Sequence, residues 1–213
     1  MRDLDMIMSA APVIPVLVIQ RVEEAVPIAE ALVRGGLRVL EVTMRTPAAL
    51  EAIRAMKQVE GAIVGAGTVL NRGQLEEALE AGSEFVVSPG LTDELGHAAA
   101  DAAIPLLPGV ASAGDIMRAL DLGFTRLKFF PATTSGGIPA LKNFSSVFGG
   151  VRFCPTGGIT QETAPQWLEL PSVACVGGSW MVPSGTTDPA VIEEHARRAA
   201  SLRLRPRAEE VKG

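Results

Sequence analysis

Short runs of apolar residues recur along the chain at nearly even spacing. Each run is rich in Val, Ile, Leu or Phe and ends at Gly or Pro, a pattern typical of buried parallel strands. Successive runs start 20 to 25 residues apart, and the pattern predicts eight strands. The runs begin near Val13, Leu37, Ala62, Glu84, Ile104, Arg126, Val151 and Val173.

The segments between these runs have helical character. Asn71, Thr92 and Ser112 are natural N-caps, because their side chains can accept a hydrogen bond from the first helical turn. Glycines stand where several helices would end, as expected for a left-handed exit from a helix. The predicted helices cover residues 23–33, 47–56, 71–80, 92–102, 112–120 and 160–168, besides a short N-terminal helix and a charged C-terminal helix or tail.

Eight repeated strand–helix units with short loops predict an α/β fold of the (β/α)8 TIM-barrel type. Residues 1–213 would then form one barrel domain, with the N-terminal helix and the charged C-terminal tail as additions. A doubly wound open sheet is the alternative. Such a sheet usually has fewer strands and a GxGxxG nucleotide fingerprint, which this sequence lacks.

Composition narrows the possible partners. The 213 residues are 47% hydrophobic and 20% charged, with a net charge of −5, so a globular acidic protein is expected. An acidic surface does not attract phosphodiester backbones, and nucleic acid is not an expected partner. Pro and Gly interrupt the longest uncharged run, and the first residues do not resemble a signal peptide. We therefore expect no membrane partner, a cytoplasmic location, and buried free thiols at Cys154 and Cys175.

Two predicted strands carry charged residues in their interior. Lys128 lies within an apolar run, where burial favours a neutral amine of the kind that imine formation with a ketone requires. Glu41 lies in another such run, and Arg45 follows it at the end of that strand. Glu41 could act as a general acid and base, and Arg45 could bind a carboxylate. The alternative for both Lys128 and Glu41 is a structural ion pair.

Small and hydroxyl-bearing residues follow three other strands. Thr68 closes a Gly-Ala-Gly-Thr segment that could bring a substrate carboxylate close to the backbone. Two glycine-rich turns, at residues 155–159 and 177–180, follow the seventh and eighth strands, where barrels frequently bind phosphate. The buried amine, the carboxylate, the guanidinium and the glycine-rich turns together suit a substrate that is a 2-keto acid phosphate. The two histidines lie far apart and no CxxC or HExxH motif is present, so no metal is expected. Imine chemistry on a lysine would also need no cofactor.

Eight stretches in order resemble the family of 2-keto-3-deoxy-6-phosphogluconate (KDPG) aldolases, which includes 4-hydroxy-2-oxoglutarate (KHG) aldolases. They are PVIPVLVI, RVLEVTMRT, AIVGAGTVL, FVVSPGLT, IPLLPGV, KFFPA, VRFCPTGGI and CVGGSWMVP, and they run from about residue 12 to 183. The resemblance implies a class I, metal-free carbon–carbon lyase on a (β/α)8 barrel, normally a homotrimer. It would cleave KDPG to pyruvate and glyceraldehyde 3-phosphate in the Entner–Doudoroff pathway.

The resemblance also implies residue roles. Lys128 would form the imine, Glu41 would shuttle protons, and Arg45 with Thr68 would bind the pyruvate carboxylate. The remaining implied residues contact other parts of the substrate: Thr156 influences the accepted stereochemistry at C4, Gly157, Gly158 and Ser179 bind the phosphate, and Pro89 and Phe130 line the pocket.

One segment departs from the family pattern. After KFFPA the chain continues Thr133-Thr134-Ser135-Gly136-Gly137, where many members have an acidic residue. We expect this change to affect loop conformation rather than chemistry. The competing functions are an aldolase acting mainly on KHG or on the galactonate epimer, a barrel that only binds sugar phosphates, and a metal-dependent pyruvate aldolase.

Overall fold

The strands of the computed structural model, which describes residues 3–183 and 185–202, pair in parallel throughout. One sheet has the order β5-β4-β3-β2-β1-β9, and the other has the order β6-β7-β8. The strands are β1 (Val13–Leu17), β2 (Val39–Thr43), β3 (Ile63–Gly67), β4 (Val86–Val87), β5 (Leu106–Leu107), β6 (Gly109–Val110), β7 (Arg126–Phe129), β8 (Arg152–Pro155) and β9 (Val176–Gly178).

The last strand pairs with the first, so the parallel sheet is curled. Pro108 alone separates β5 from β6, and its carbonyl accepts a hydrogen bond of 2.8 Å from the Lys128 backbone N–H. Single parallel bridges connect Phe153 with Val173 and Thr156 with Gly177, between β8 and the segment of β9. Otherwise the strands follow chain order, whereas a doubly wound sheet reverses its order at a switch point. The doubly wound alternative is therefore wrong.

Helices follow the strands in chain order, as the sequence predicts. Asn71, Thr92 and Ser112 each accept a hydrogen bond from the backbone N–H three residues later, which confirms the three predicted N-caps. A 3₁₀ helix at Val22–Glu24 leads into α2. The helices are α1 (Leu4–Ser9), α2 (Ala25–Arg34), α3 (Ala49–Met56), α4 (Arg72–Glu80), α5 (Asp93–Asp101), α6 (Ala113–Asp121), α7 (Gly137–Val147), α8 (Ala164–Leu168) and α9 (Pro189–Ala200).

Most element boundaries lie within about two residues of the predicted ones, and the fifth predicted strand is divided into β5 and β6; three elements differ further. The helix α7 was not predicted at all. The helix α8 starts four residues later than expected, because Thr160 and Thr163 bond to each other's side chains and backbone in a turn before it. The last strand spans residues 176–178, while Val173 makes only an isolated bridge. Of the charged C-terminal segment, α9 is a helix, and Arg203, Arg205 and Arg207 lie outside the described residues.

The buried apolar side chains form two clusters. The larger one packs the helices against the outer face of the sheet. The smaller one fills the inside of the curl near the N-terminal ends of the strands, where Ile7 and Met8 of α1 pack against residues such as Val39. Cys154 and Cys175 belong to this cluster as buried free thiols, as predicted. Across the described ranges, no helix has the length and apolar character needed to cross a bilayer.

Candidate active site

The centre of the site is a buried contact between an amine and a carboxylate. Lys128 lies on β7 and Glu41 on β2, 87 residues apart in the chain, and the Lys128 Nζ donates a hydrogen bond of 3.2 Å to the Glu41 Oε1. Lys128 is 4% exposed and Glu41 is 3% exposed. The Phe130 ring centroid lies 5.1 Å from the same Nζ.

Burying two charges is costly, and this pair offsets the cost by mutual attraction. The contact alone therefore agrees with a structural ion pair as well as with a catalytic one. The position favours catalysis, because Lys128 and Glu41 lie inside the curl beyond the apolar cluster, toward the C-terminal ends of the strands. An amine with a carboxylate in hydrogen-bond contact has a nucleophile and a proton acceptor in one place.

Glycines on β3 shape the space around Glu41. A Cβ atom on Gly67 would lie 2.6 Å from the Glu41 Cγ and closer still to its Oε1, so a larger residue would displace the carboxylate. A Cβ on Gly65 would meet the Phe85 ring, which already fills that space. The sequence predicts that these small residues let a substrate approach the backbone, and that stays a prediction. The structure shows that Gly65 makes room for the Phe85 ring and Gly67 for the Glu41 side chain.

The predicted carboxylate-binding residues contact each other. Arg45 follows β2 and is exposed, and its Nε donates a 3.3 Å hydrogen bond to the Thr68 Oγ1. Thr68 follows Gly67 directly and has a φ of 61°, an unusual left-handed conformation for a residue with a branched Cβ. This conformation places a hydroxyl and a guanidinium together beside the segment that packs on Glu41.

Thr156 lies on the inner side of the strand ends after β8 and is 6% exposed. Its Oγ1 occupies the space where a Cβ of Gly177 would lie, so Gly177 is what allows the Thr156 side chain to fit between β8 and β9. The Thr156 Oγ1 donates a hydrogen bond of 3.4 Å to the Cys154 carbonyl oxygen. Lys128 and Cys154 are register partners, so Thr156, two residues after Cys154 on the same face, lies just beyond the amine toward the C-terminal ends of the strands.

The predicted phosphate residues form two turns that the Thr156–Gly177 bridge holds side by side. Gly157 and Gly158 have φ values of 106° and 74°, conformations that favour glycine. Successive backbone N–H groups in such turns form concave sites for anions. The second turn carries Ser179, whose side chain is exposed directly after β9.

Pro89 follows the short strand β4, and its carbonyl lies where a Cβ of Gly109 would be. Since Gly109 is the register partner of Lys128, Pro89 borders the same interior region. Contacts thus join Lys128 with Glu41 and Phe130, and join Arg45 with Thr68. Ser179 makes none of these side-chain contacts in the described structure, and its place beside the others follows from the strand pairing alone.

The roles of Gly67 and Gly177 are steric and depend on neighbours distant in the chain, so they were not predicted from the sequence. The loop after Pro131 is predicted only as a departure from the family pattern, whereas Thr133 in this loop donates a hydrogen bond to the Gly157 carbonyl. Within residues 3–183 and 185–202, no three His, Cys, Asp or Glu side chains group closely enough to hold a metal ion.

Comparison with known proteins agrees with this geometry. The family model described as KDPG and KHG aldolase matches residues 4–194. The chain is 61% identical over 203 residues to the 2-dehydro-3-deoxy-phosphogluconate aldolase of Zymomonas mobilis, covering 95% of this chain and 98% of the relative.

Solved structures give the same result. A crystal structure of the Zymomonas mobilis KDPG aldolase with 3-phosphoglycerate has a TM-score of 0.94 and 60% identity, covering 96% of this chain and 98% of that one. The Legionella pneumophila KDPG aldolase, with pyruvate captured as a covalent carbinolamine, has a TM-score of 0.91 and 46% identity, covering 94% and 99%. The resemblance found in the sequence is therefore confirmed, and this chain belongs to the KDPG and KHG aldolase family.

Proposed function

We propose that this chain is a class I aldolase that cleaves KDPG to pyruvate and glyceraldehyde 3-phosphate. The observation that carries the proposal is the buried contact between Lys128 and Glu41 on the inner face of the parallel sheet. A buried amine at this position can attack a ketone, and the adjacent carboxylate is suited to move the protons. The Legionella relative, in which pyruvate was captured as a carbinolamine, supports the same chemistry.

The reaction follows from these two groups. The Lys128 Nζ attacks the C2 ketone, and the carbinolamine loses water to give an iminium. Glu41, directly or through a water molecule, takes the C4 hydroxyl proton while the C3–C4 electron pair moves toward the iminium nitrogen. Glyceraldehyde 3-phosphate leaves, the enamine is protonated at C3, and hydrolysis releases pyruvate and the free amine.

The remaining residues would bind the substrate along its length. Arg45 and Thr68 would hold the carboxylate next to C2, since a guanidinium and a hydroxyl both donate to carboxylate oxygens. Thr156 would face the C4 hydroxyl. Pro89 and Phe130 would lie beside the carbon chain of the substrate. The phosphate group, at the end of the substrate opposite the carboxylate, would contact Gly157, Gly158 and Ser179.

We also propose that the curled sheet closes into a (β/α)8 barrel and that the chain forms one domain. The bridges between β8 and β9, together with the single residue between β5 and β6, support closure. The homotrimer is proposed from the family resemblance, the cytoplasmic location from the sequence, and the absence of a cofactor from the imine chemistry. Sedimentation velocity on the purified chain tests the trimer directly.

KHG is the second candidate substrate, because the matching family model describes aldolases for both compounds. The glycine-rich turn after β8 favours the phosphorylated substrate. Ser179→Asp would place a negative charge beside the phosphate, and we expect it to raise the KM for KDPG by about tenfold or more. The KM for KHG should change little. Equal changes for both substrates would remove Ser179 from the phosphate site.

Borohydride trapping tests the proposed function. The protein is reduced with sodium borohydride in the presence of pyruvate, digested, and analysed by peptide mass spectrometry. The expected product is a reduced pyruvyl adduct on Lys128, and EDTA-treated protein should cleave KDPG at the normal rate. A folded protein without the adduct would contradict the imine mechanism and favour a metal-dependent or binding-only barrel.

A further inference from the structure

The loop after β7 is bonded to the glycine turn after β8. Thr133 donates two hydrogen bonds to the Gly157 carbonyl, one from its backbone N–H at 3.2 Å and one from its Oγ1 at 3.1 Å. One residue earlier, the Ala132 N–H donates to the Thr156 carbonyl at 2.8 Å. Hydrogen bonds thus connect the two segments past the ends of β7 and β8.

These bonds determine the direction of a donor on the other side of the turn. A trans peptide unit is planar, and its C=O and N–H point in opposite directions. The Gly157 carbonyl and the Gly158 N–H belong to one such unit. Because Thr133 holds that carbonyl on its own side with two donors, the Gly158 N–H must point away from the loop.

Thr133 and Gly158 are also matched in size. The Thr133 Oγ1 lies where a Cβ on Gly158 would be, so only glycine fits at 158 beside this side chain. Gly158 has a φ of 74°, and glycine is a flexible residue that other contacts must hold in a single conformation. The Thr133 side chain supplies such a contact.

We propose that Thr133 is a positioning residue for phosphate recognition: its hydroxyl fixes the Gly157–Gly158 peptide so that the Gly158 N–H faces the substrate phosphate. This inference rests on the proposed function, because it needs a phosphorylated substrate at that turn. Thr133 acts through the peptide and takes no part in bond cleavage. Its effect should therefore fall on phosphorylated substrates alone.

Thr133→Val is the main test, since valine keeps the shape and the backbone N–H and removes only the hydroxyl donor. Losing one hydrogen bond that orients a ligand donor is expected to raise the KM for KDPG about three- to tenfold, with kcat within about twofold. The inhibition constant of inorganic phosphate should rise by a similar factor. Thr133→Ser, which keeps the hydroxyl, should restore both values.

Two controls separate positioning from general damage. Thr134→Val removes the neighbouring hydroxyl, which donates to the Pro131 carbonyl, and should leave the KM for KDPG unchanged. The KM for KHG and the yield of borohydride-trapped pyruvate should stay at wild-type values in Thr133→Val. Thr133→Ala is assayed in parallel as a second variant without the hydroxyl, in case the valine variant does not fold.

The outcomes distinguish this inference from the proposed function. If the wild-type chain traps no pyruvate and cleaves neither substrate, the proposed function fails. If the wild type cleaves KDPG but the valine and alanine variants keep its KM, or raise the KM for KDPG and KHG equally, Thr133 does not position the phosphate turn. A selective increase for KDPG that serine restores is the result expected from the geometry.

Discussion

The inner face of the curled sheet has two unlike ends. At the N-terminal ends of the strands, α1 packs Ile7 and Met8 into an apolar cluster with Val39 of β2. Two residues further along β2, on the same face, stands Glu41 in contact with Lys128. Only two residues along the strand therefore separate the packed apolar cluster from the charged pair.

This difference shows how one set of strands divides its tasks. The end that α1 covers is filled with apolar side chains, and their burial stabilises the fold. The other end gives up volume by using Gly67 and Gly177, and so accommodates the side chains of Glu41 and Thr156. Changes at one end should therefore affect stability, and changes at the other should affect catalysis.

The largest effect is expected at Lys128. Lys128→Met should lower kcat/KM for KDPG by about 10⁴-fold or more, because it removes the amine that is proposed to form the imine. It should also destabilise the protein by roughly 3–5 kcal/mol, because Glu41 stays buried without its partner. Steady-state kinetics and urea unfolding measure the two effects.

The double variant Lys128→Met with Glu41→Gln is the control for this prediction. A neutral amide removes the unpaired charge, so stability should recover in large part while activity stays absent. Normal turnover in the single variant would disprove the imine mechanism and would make the Lys128–Glu41 contact a structural ion pair.

A change at the apolar end should give the opposite result. Ile7→Ala removes a side chain that is 1% exposed, and we expect a loss of about 2–5 kcal/mol of unfolding free energy. Well below the melting temperature, kcat/KM should stay within about twofold of wild type. Met6→Ala on the same helix, where the side chain is 49% exposed, serves as the matched control and should cost less than about 0.5 kcal/mol.

Gly67→Ala sharpens the comparison, because it leaves every polar group of the site in the sequence. The added Cβ would lie 2.6 Å from the Glu41 Cγ and should push the carboxylate away from Lys128. Moving the Glu41 carboxylate out of contact with Lys128 is expected to lower kcat about 100-fold. Gly149→Ala, where an added Cβ meets nothing within 4 Å, should leave kcat unchanged. Equal activity in the two variants would show that Glu41 need not hold its observed position.

Much of this architecture is predictable from local sequence. The strands are predictable because buried parallel strands are nearly continuous apolar runs, and the caps at Asn71, Thr92 and Ser112 because one side chain satisfies one nearby N–H. The helix α7 was missed for a local reason. It starts at two glycines, Gly136 and Gly137, and contains Pro139, which weakens the helical pattern.

The site is predictable in its residue types but less so in its contacts. Charged residues inside apolar strands are informative because burial without a partner is costly, and Lys128 and Glu41 are predictable on this ground. The contacts of Gly67 with Glu41 and of Thr133 with Gly157 leave no such signal. They depend on how adjacent strands align in register, and neither a glycine at the end of a strand nor an exposed threonine in a loop is unusual.

The smallest effect is expected on β7, a strand that reaches from the apolar end of the inner face to the polar end. Arg126 is two residues before Lys128, and its guanidinium forms hydrogen bonds of 2.6 and 2.9 Å to Asp5, which lies on α1. Arg126→Lys loses the bidentate geometry at a partly exposed pair, so a loss below about 1 kcal/mol is expected, with unchanged kcat/KM. Urea unfolding and steady-state kinetics on the same preparation measure both quantities. A clear drop in kcat, with a loss of stability no larger than expected, would mean that α1 influences the Lys128 amine through β7. The apolar end and the polar end of the sheet would then form one functional unit.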